Sequence, residues 1–254
     1  MQKRIAIVTG ASGGIGKAFT KLMILENVDE IWAIARNKEK LAHLQNEFGK
    51  KIIPLSKDLA SSSELHSIGQ MLEEEKPTIS FLINNAGVAR MGLSKDFGVD
   101  EIQSTIDINC RAFAVLCTLC VPYMKEGSRI INISSAASFQ PLPYLNLYSA
   151  TKAFERYYSR ALNVELKGTG ITSTAVCPSW VDTDLLEKEL NGKKIRFPDL
   201  ISADKVAQKA LKDAKRGKDM SVCKLHVKFD HLLTKIFSQK ACMRTWLGKT
   251  KNYI

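Results

Sequence analysis

Apolar and polar segments alternate in a regular order from Arg4 to Trp180. Short runs rich in β-branched residues, such as RIAIVTG, EIWAIAR and TISFLINNAG, are each followed by a more polar segment or one with apolar residues at helical spacing. The strand-like runs are apolar on both faces, which is typical of parallel strands covered by helices on either side. This alternation predicts an α/β fold with a parallel sheet between two layers of helices.

The pattern is clear enough to place individual elements. It predicts strands at RIAIVTG, EIWAIAR, KIIPLSKDL, TISFLINNAG, SRIINISS and GITSTAVCPSW, with MSVC as the only further strand candidate. Between them it predicts helices at IGKAFTKLMILEN, KEKLAHLQNEFG and SSELHSIGQMLEEEK, a long helix from about 100 to 124, and another that runs to about Lys167. We therefore predict one doubly wound Rossmann-type domain over residues 1–254.

The segment after Arg216 differs from the rest because it is strongly basic. The chain has a net charge of +11, and residues 205–254 carry 13 Lys/Arg against 3 Asp/Glu, which leaves 24 against 23 for residues 1–204. Residues 224–254 are interpreted as a basic C-terminal helical extension, and residues 184–200 as a substrate lid. The extension could cover the substrate cleft, form a dimer contact or lie on an anionic membrane surface. Helical spacing predicts the burial of its apolar residues, including Phe229, Leu232, Leu233, Ile236 and Phe237.

Composition narrows the class of protein. Hydrophobic residues make up 45% of the chain and charged residues 25%, as in ordinary globular proteins. Because no apolar run approaches ~18 residues and a strand begins near the N-terminus, we expect a cytoplasmic protein. Cysteines such as Cys117 and Cys120 are predicted to be core residues rather than disulfide or metal partners. The four histidines lie in no motif, so no metal site is predicted, and Asp182, Asp184 and Glu187 are interpreted as acids in the first turn of a helix.

The turn after the first strand is rich in glycine and reads TGASGGIG. Glycine permits positive φ angles and lets backbone amides come close to a pyrophosphate, which then rests on the N-terminus of the following helix. Its position between a strand and a helix predicts a dinucleotide site. The predicted contacts are Gly10, Ser12, Gly13, Gly14, Ile15 and Gly16.

The end of the second strand should lie beside the adenosine ribose of such a cofactor. A carboxylate at this point would accept from the 2′-hydroxyl of NAD, but the chain has Ala35 followed by Arg36. A guanidinium suits a 2′-phosphate, so the sequence favours NADP. The alternative interpretation is that Arg36 only faces solvent.

Tyr148 and Lys152 stand four residues apart in a predicted helix, so both head groups can point into one cleft. A lysine ammonium beside a tyrosine hydroxyl favours the phenolate and lowers the pKa of the phenol toward neutral pH. Tyr148 is therefore a candidate general acid/base.

Four motifs occur in a consistent order. They are the glycines of TGxxxGxG, the sequence NNAG at Asn84–Gly87, Ser135 thirteen residues before Tyr148, and YxxxK itself. Together they resemble the short-chain dehydrogenase/reductase family, in its shorter-chain branch, over roughly residues 3–215.

The resemblance implies a role for each matching residue. Ser135 would hydrogen-bond the substrate carbonyl, Tyr148 would protonate the developing alkoxide, and Lys152 would bind the nicotinamide ribose and keep the tyrosine acidic. Asn109 would break the long helix locally and order a water that joins Lys152 to solvent. Further cofactor contacts are implied at Asp58, Leu59, Asn85, Ala86, Gly87, Pro178, Val181 and Thr183. Ser179 stands where the family usually has glycine.

The function implied is an NADP(H)-dependent oxidoreductase that interconverts a small-molecule carbonyl compound and a secondary alcohol. The resemblance also implies a homo-oligomer, either a dimer or a tetramer. The alternatives are a catalytically silent NADP-binding regulator and a membrane-surface-associated reductase of a lipid-like ketone. The basic tail offers nucleic acid only nonspecific attraction, so no specific nucleic-acid partner is predicted.

Overall fold

A seven-stranded parallel sheet forms the centre of the molecule in a computed structural model, which describes residues 2–186, 189–190, 193–194, 197 and 199–250. The strands are β1 (Arg4–Thr9), β2 (Glu30–Ala35), β3 (Ile52–Ser56), β4 (Thr78–Asn84), β5 (Met124–Ile133), β6 (Thr172–Val176) and β7 (Met220–Ser221). They lie in the order β7-β6-β5-β4-β1-β2-β3. The order reverses between β1 and β4, and ligands of such sheets bind at the carboxyl ends of the strands around that point.

Helices cover both faces of this sheet. They are α1 (Gly14–Ile24), α2 (Lys38–Phe48), α3 (Ser62–Glu75), α4 (Val99–Ile106), α5 (Phe113–Cys120), α6 (Asn146–Glu165), α7 (Ala203–Lys215), α8 (Leu225–Ile236) and α9 (Gln239–Thr250). Helices α1, α2 and α7 contribute to one apolar core, whereas α3, α5 and α6 contribute to the other. Alternate residues of β1 enter opposite cores: Ala6 and Val8 pack in the first, and Ile5 and Ile7 in the second. The predicted doubly wound fold is confirmed.

The predicted long helix is present but interrupted. Between α4 and α5 the backbone forms a π-helical turn over Asp107–Ala112, which contains Asn109, and the helix ends in a short 3₁₀ turn at Val121–Tyr123. The stretch Val99–Tyr123 is long and apolar enough to cross a membrane by length and composition alone, but it is partly buried inside the protein. Its α5 segment packs against α3 and β4, so it is a core helix.

Several predicted elements lie partly outside the described residues. This applies to the lid over residues 184–200 and to Glu187. Asp182 belongs instead to a short parallel pair, Val181–Asp182 with Ile201–Ser202. Exposed apolar side chains on α4 and α6 would suit the predicted homo-oligomer, whose state stays a prediction; they are Val99, Ile106, Phe154, Tyr157 and Val164.

The C-terminal extension contains the two helices α8 and α9, but most of the apolar residues expected to be buried are not buried on the protein itself. Phe229 is 59% exposed, Leu232 50%, Ile236 66% and Phe237 56%, and only Leu233 is half-buried. Helix α8 instead packs on the protein through its opposite face. Spacing alone shows that apolar residues share a face, and it does not show which way that face points.

Asp213 fastens α7 to the edge strand β7. Its buried carboxylate accepts hydrogen bonds from Ser221 Oγ at 2.8 Å and from Lys209, and it lies 2.9 Å from Lys218 Nζ. Burial alone would raise the pKa of Asp213, but these donors outweigh it and hold the pKa at about 2. Because this value is below the ordinary one, the contribution to stability is present above pH ~4 and is lost as the pH falls through the folded-state pKa.

We expect Asp213→Asn to lower the free energy of unfolding by roughly 1.5–3 kcal/mol, since a charged hydrogen-bond acceptor is lost from a buried network. Urea unfolding at neutral pH measures the change. The matched control is Asp219→Asn, which breaks the half-exposed ion pair with Arg160 and should cost only about 0–1 kcal/mol. An equal decrease in the free energy of unfolding in the two variants would contradict the stabilising role of the buried Asp213 carboxylate.

Candidate active site

The glycine-rich turn joins β1 to α1 beside the end of β4. Gly10 has a φ of +62° and Gly14 a φ of +50°, so both need the left-handed conformation that glycine adopts readily. A Cβ on Gly16 would lie 2.0 Å from the carbonyl oxygen of Gly10. A side chain at any of these positions would therefore force the backbone of the turn into a different conformation.

Thr9 holds this turn against the end of β4 through hydrogen bonds. This role of Thr9 was not predicted from the sequence. Its Oγ1 accepts hydrogen bonds from the backbone amides of Asn85 and Ala86, each at 2.9 Å. The side-chain amide of Asn85 donates to the carbonyl oxygen of Thr9 at 3.0 Å. The first and fourth strands are thus tied together where the sheet order reverses. Thr9 lies within the quoted glycine motif, which was the available signal.

The beginning of α1 fits the pyrophosphate of a dinucleotide. The residue before the helix is Gly13, which has no side chain to cap it, and the first turn contains no acid. Helix N-termini of this kind present free amides and a partial positive charge to an anion. A Cβ on Gly14 would lie 3.0 Å from Thr183 Cγ2, so the loop after β6 reaches this turn. Ser12, Gly13 and Ile15 are half-buried along it.

The predicted adenosine end of the site lies at the carboxyl ends of β2 and β3. Arg36 is exposed, and its guanidinium has no hydrogen bond or ion pair among the described residues. Asp58 is also exposed, and its carboxylate accepts from the amide of Ala60 at 3.0 Å. Leu59 is buried in the second core. No acid follows β2 directly, in keeping with the sequence.

Lys152 and Tyr148 lie in the first turns of α6. The Lys152 ammonium is 5.8 Å from the centre of the Tyr148 ring. It is buried and donates to the carbonyl oxygen of Ile133 at 2.8 Å, at the end of β5. A Cβ on Gly87 would come within 3.2 Å of Lys152 Nζ and 3.3 Å of Asn109 Oδ1. Gly87, in the loop after β4, thus has no side chain at the point where this loop meets α6 and the π-helical turn, and the side chains of Lys152 and Asn109 fit there.

Glu155 is a buried partner of Lys152 that sequence reasoning also missed. Each carboxylate oxygen lies 2.9 Å from Lys152 Nζ, and both side chains are 5% exposed or less. Burial raises the pKa of Glu155 to about 7, although the attraction of Lys152 opposes the rise. Burial would lower the pKa of Lys152, but the charges of Glu155 and Tyr148 raise it above its ordinary value. The i,i+3 spacing on a helix was the only sequence signal.

Asn109 ties the π-helical turn to its neighbours and is fully buried. Its Oδ1 accepts from the amide of Val88 at 2.9 Å, and its Nδ2 donates to the carbonyl oxygen of Val88 at 2.9 Å. The same Nδ2 donates to Thr151 Oγ1 at 3.0 Å. Asn109 therefore joins the loop after β4 to the helix that carries Lys152.

Ser135 follows β5 and faces the loop after β6. Its Oγ accepts a hydrogen bond from the backbone amide of Ala137 at 3.1 Å. The backbone amide of Ala136, directly after Ser135, donates to the carbonyl oxygen of Pro178 at 2.9 Å. Further along that loop Val181 is buried, and Thr183 meets the glycine turn. Ser179, in the position usual for glycine, has a buried Oγ without a hydrogen-bond partner among the described residues.

Helix α9 borders the same region. The indole of Trp246 donates to the carbonyl oxygen of Pro143 at 3.0 Å and stacks on Trp180, with ring centroids 6.5 Å apart. Pro143 precedes α6, and Trp180 lies in the loop after β6. The C-terminal extension therefore contacts two loops that flank Ser135 and Tyr148.

Comparison with known proteins agrees with this geometry. A family model described as short chain dehydrogenase matches residues 4–194. An uncharacterized oxidoreductase of Staphylococcus aureus (strain MRSA252) is 33% identical over 185 residues, which cover 71% of this chain and 79% of the relative. The very-long-chain 3-oxoacyl-CoA reductase of Anas platyrhynchos is 35% identical over 189 residues, covering 71% of this chain and 60% of that protein.

Solved structures give the same result. The short-chain dehydrogenase from Sphingobium yanoikuyae in complex with NADPH is 29% identical with a TM-score of 0.78, over 90% of this chain and 92% of that one. Structural neighbours carry either NADP(H) or NAD(H), so the fold alone does not select between the two. The extent of the family match and the identity to these relatives lead to one conclusion: this chain is an oxidoreductase of the short-chain dehydrogenase/reductase family.

Proposed function

We propose that the protein uses NADP(H) to interconvert a carbonyl compound and a secondary alcohol, with Tyr148 as the general acid/base. The observation that carries the proposal is the buried ammonium of Lys152, 5.8 Å from the ring of Tyr148 at the carboxyl edge of the sheet. This arrangement places the Tyr148 phenol beside a buried cation at the edge of the sheet where ligands bind, which supports a part for Tyr148 in proton transfer.

Each neighbouring residue has a proposed part in the reduction. The dinucleotide supplies the hydride when it is bound. Tyr148 gives its phenolic proton to the carbonyl oxygen, and the Ser135 hydroxyl donates a hydrogen bond to the same oxygen. That hydroxyl is suited to donate because the contact with Ala137 uses Oγ as an acceptor. Asn109 is proposed to hold the helix that carries Lys152 in position.

The catalytically silent alternative makes a different prediction about turnover. In a regulator, the buried Lys152–Glu155 pair would be structural only, and NADPH would bind without being consumed. We expect NADPH consumption with at least one ketone of a panel that includes a 3-oxoacyl thioester, chosen because one relative is named as a 3-oxoacyl-CoA reductase. Absorbance at 340 nm measures it. Binding of NADPH without turnover on any member would favour the regulator.

Arg36 is proposed to select NADP over NAD. Its guanidinium is exposed at the carboxyl end of β2, where no acid follows the strand. A charge-assisted hydrogen bond to a 2′-phosphate contributes roughly 1.5–3 kcal/mol, so NADPH should bind about tenfold or more tightly than NADH. We expect Arg36→Ala to remove most of this preference in fluorescence titrations with both cofactors.

Lys51→Ala is the matched control, because Lys51 is also an exposed cation but precedes β3 and so lies at the opposite edge of the sheet. It should leave the ratio of the two dissociation constants unchanged. Equal affinity of the unmodified protein for NADPH and NADH would contradict the assignment of Arg36.

A further inference from the structure

Helix α8 presents a continuous apolar stripe to the outside of the protein. Leu225, Phe229, Leu232 and Ile236 follow the spacing i, i+4, i+7 and i+11, which puts them on one face of a helix. They are 82%, 59%, 50% and 66% exposed. We call these four residues the α8 stripe.

The opposite face of α8 is held on the protein. Val227 is buried beside Cys177 and Val222. His231 is also buried, and its ring lies 4.1 Å from that of Phe139, between centroids. Phe139 ends the turn that follows Ser135. Because this inner face is packed, the α8 stripe is fixed in its outward direction.

Positively charged residues lie along one side of the α8 stripe and on the following helix, α9. Lys228 and Lys235 are exposed on α8, next to the stripe, and Lys240 and Arg244 are exposed on α9. Residues 224–250 contain six Lys/Arg and one acid, Asp230, which gives a net charge of +5. An apolar stripe flanked by lysines, on a helix that lies against the protein, has the composition of a helix that binds at a lipid interface.

We propose that α8 docks this protein on an anionic lipid bilayer, with the α8 stripe in the headgroup region and Lys228 and Lys235 against the lipid phosphates. The charge selects this partner over a second copy of the chain, because a symmetric contact would bring two basic helices together. The stripe projects outward from a single helix, which suits a flat and deformable surface.

The position of α8 gives this docking a consequence for the site. Its inner face packs on Phe139, four residues after Ser135, and α9 continues to the loops at Pro143 and Trp180. Docking would thus hold the region around Ser135 near the bilayer. If the proposed carbonyl reduction is correct, an apolar substrate can enter from the lipid; this step alone rests on the proposed function.

The docking is tested by sedimentation with vesicles, which needs no enzymatic activity. We expect the protein to sediment with phosphatidylcholine vesicles that contain phosphatidylglycerol, and much less with phosphatidylcholine alone. Binding should fall as salt is raised, since the electrostatic part is screened within about 8 Å at physiological ionic strength. Lys228→Glu with Lys235→Glu should weaken binding by more than tenfold, because each lysine contributes about fivefold.

The stripe is tested with Leu232→Gln combined with Ile236→Gln, both at exposed positions, so the fold should persist. This variant should lose at least tenfold in binding. The control for the stripe is Leu25→Gln, at an apolar residue that is 81% exposed at the end of α1. The control for the charges is Lys50→Glu with Lys51→Glu, at two exposed residues before β3. Both controls should bind as the unmodified protein does.

Three results would overturn the proposal. One is failure to sediment with anionic vesicles at low salt. Another is equal weakening by the stripe variants and the control variants. The third is a smaller assembly on size-exclusion chromatography for Leu232→Gln/Ile236→Gln, because the stripe would then join copies of the chain. NADPH turnover measured without lipid separates each of these results from a failure of the proposed reaction.

Discussion

Replacing Tyr148 with Phe is expected to lower kcat by roughly 10²–10⁴, the usual contribution of a positioned acid/base. The substitution removes only the hydroxyl and keeps the ring that lies 5.8 Å from Lys152 Nζ. Without the hydroxyl, the proposed proton donor to the carbonyl oxygen is missing. Steady-state NADPH oxidation with an active ketone measures the loss, and fluorescence titration should show that NADPH still binds.

Tyr157→Phe is the control for this substitution. Tyr157 lies on the same helix and is 64% exposed on its outer side. It loses the same hydroxyl at a distance from the proposed site, so its kcat should equal that of the unmodified protein. If both Tyr148→Phe and Tyr157→Phe had the kcat of the unmodified protein, Tyr148 would have no part in proton transfer.

The second large effect is expected for Gly16→Ala. The added Cβ would lie 2.0 Å from the carbonyl oxygen of Gly10 and 2.6 Å from Asn85 Nδ2, so the turn must move. Overpacking of this kind typically costs 1–3 kcal/mol and occasionally more. Because the turn and the start of α1 form the proposed pyrophosphate site, NADPH affinity should fall along with stability.

Urea unfolding and NADPH titration measure the two losses. Gly98→Ala is the control, because a Cβ there would meet no atom within 4 Å and Gly98 lies before α4, outside the proposed site. It should keep both stability and affinity. Unchanged unfolding and unchanged NADPH affinity in Gly16→Ala would contradict the proposed packing of the turn.

The fold was predictable because its signals are local. Each strand is a short apolar run, and each of the first helices has a recognisable polar or apolar pattern directly after such a run. Gly49 follows the end of α2 with a φ of +88°. The glycine turn, Asn85, Ser135 and Tyr148 all follow strand ends or begin helices. Parallel strands bring such positions to one edge of the sheet. The sequence order of the motifs thus predicted their grouping at that edge.

The remaining features depend on contacts between distant residues. Glu155 stands on a predicted helix, but its burial with Lys152 depends on how α6 packs on β5 and α5. The outward direction of the α8 stripe depends on Val227 and His231, which fill the inner contact and leave the larger apolar residues outside. Helical spacing shows which residues share a face of a helix. Which face is buried depends on the surface of the protein against which the helix packs.

Isotopic labelling shows whether this protein transfers hydride from NADPH to a carbonyl carbon, as we propose. The unmodified protein is incubated with NADPH carrying deuterium at both C4 positions and with each ketone of the panel. We expect an alcohol product with one deuterium on its carbinol carbon, detected by mass spectrometry, and much slower formation of this product with Tyr148→Phe. An alcohol without deuterium, or no alcohol from any ketone while NADPH binds, would contradict the proposal.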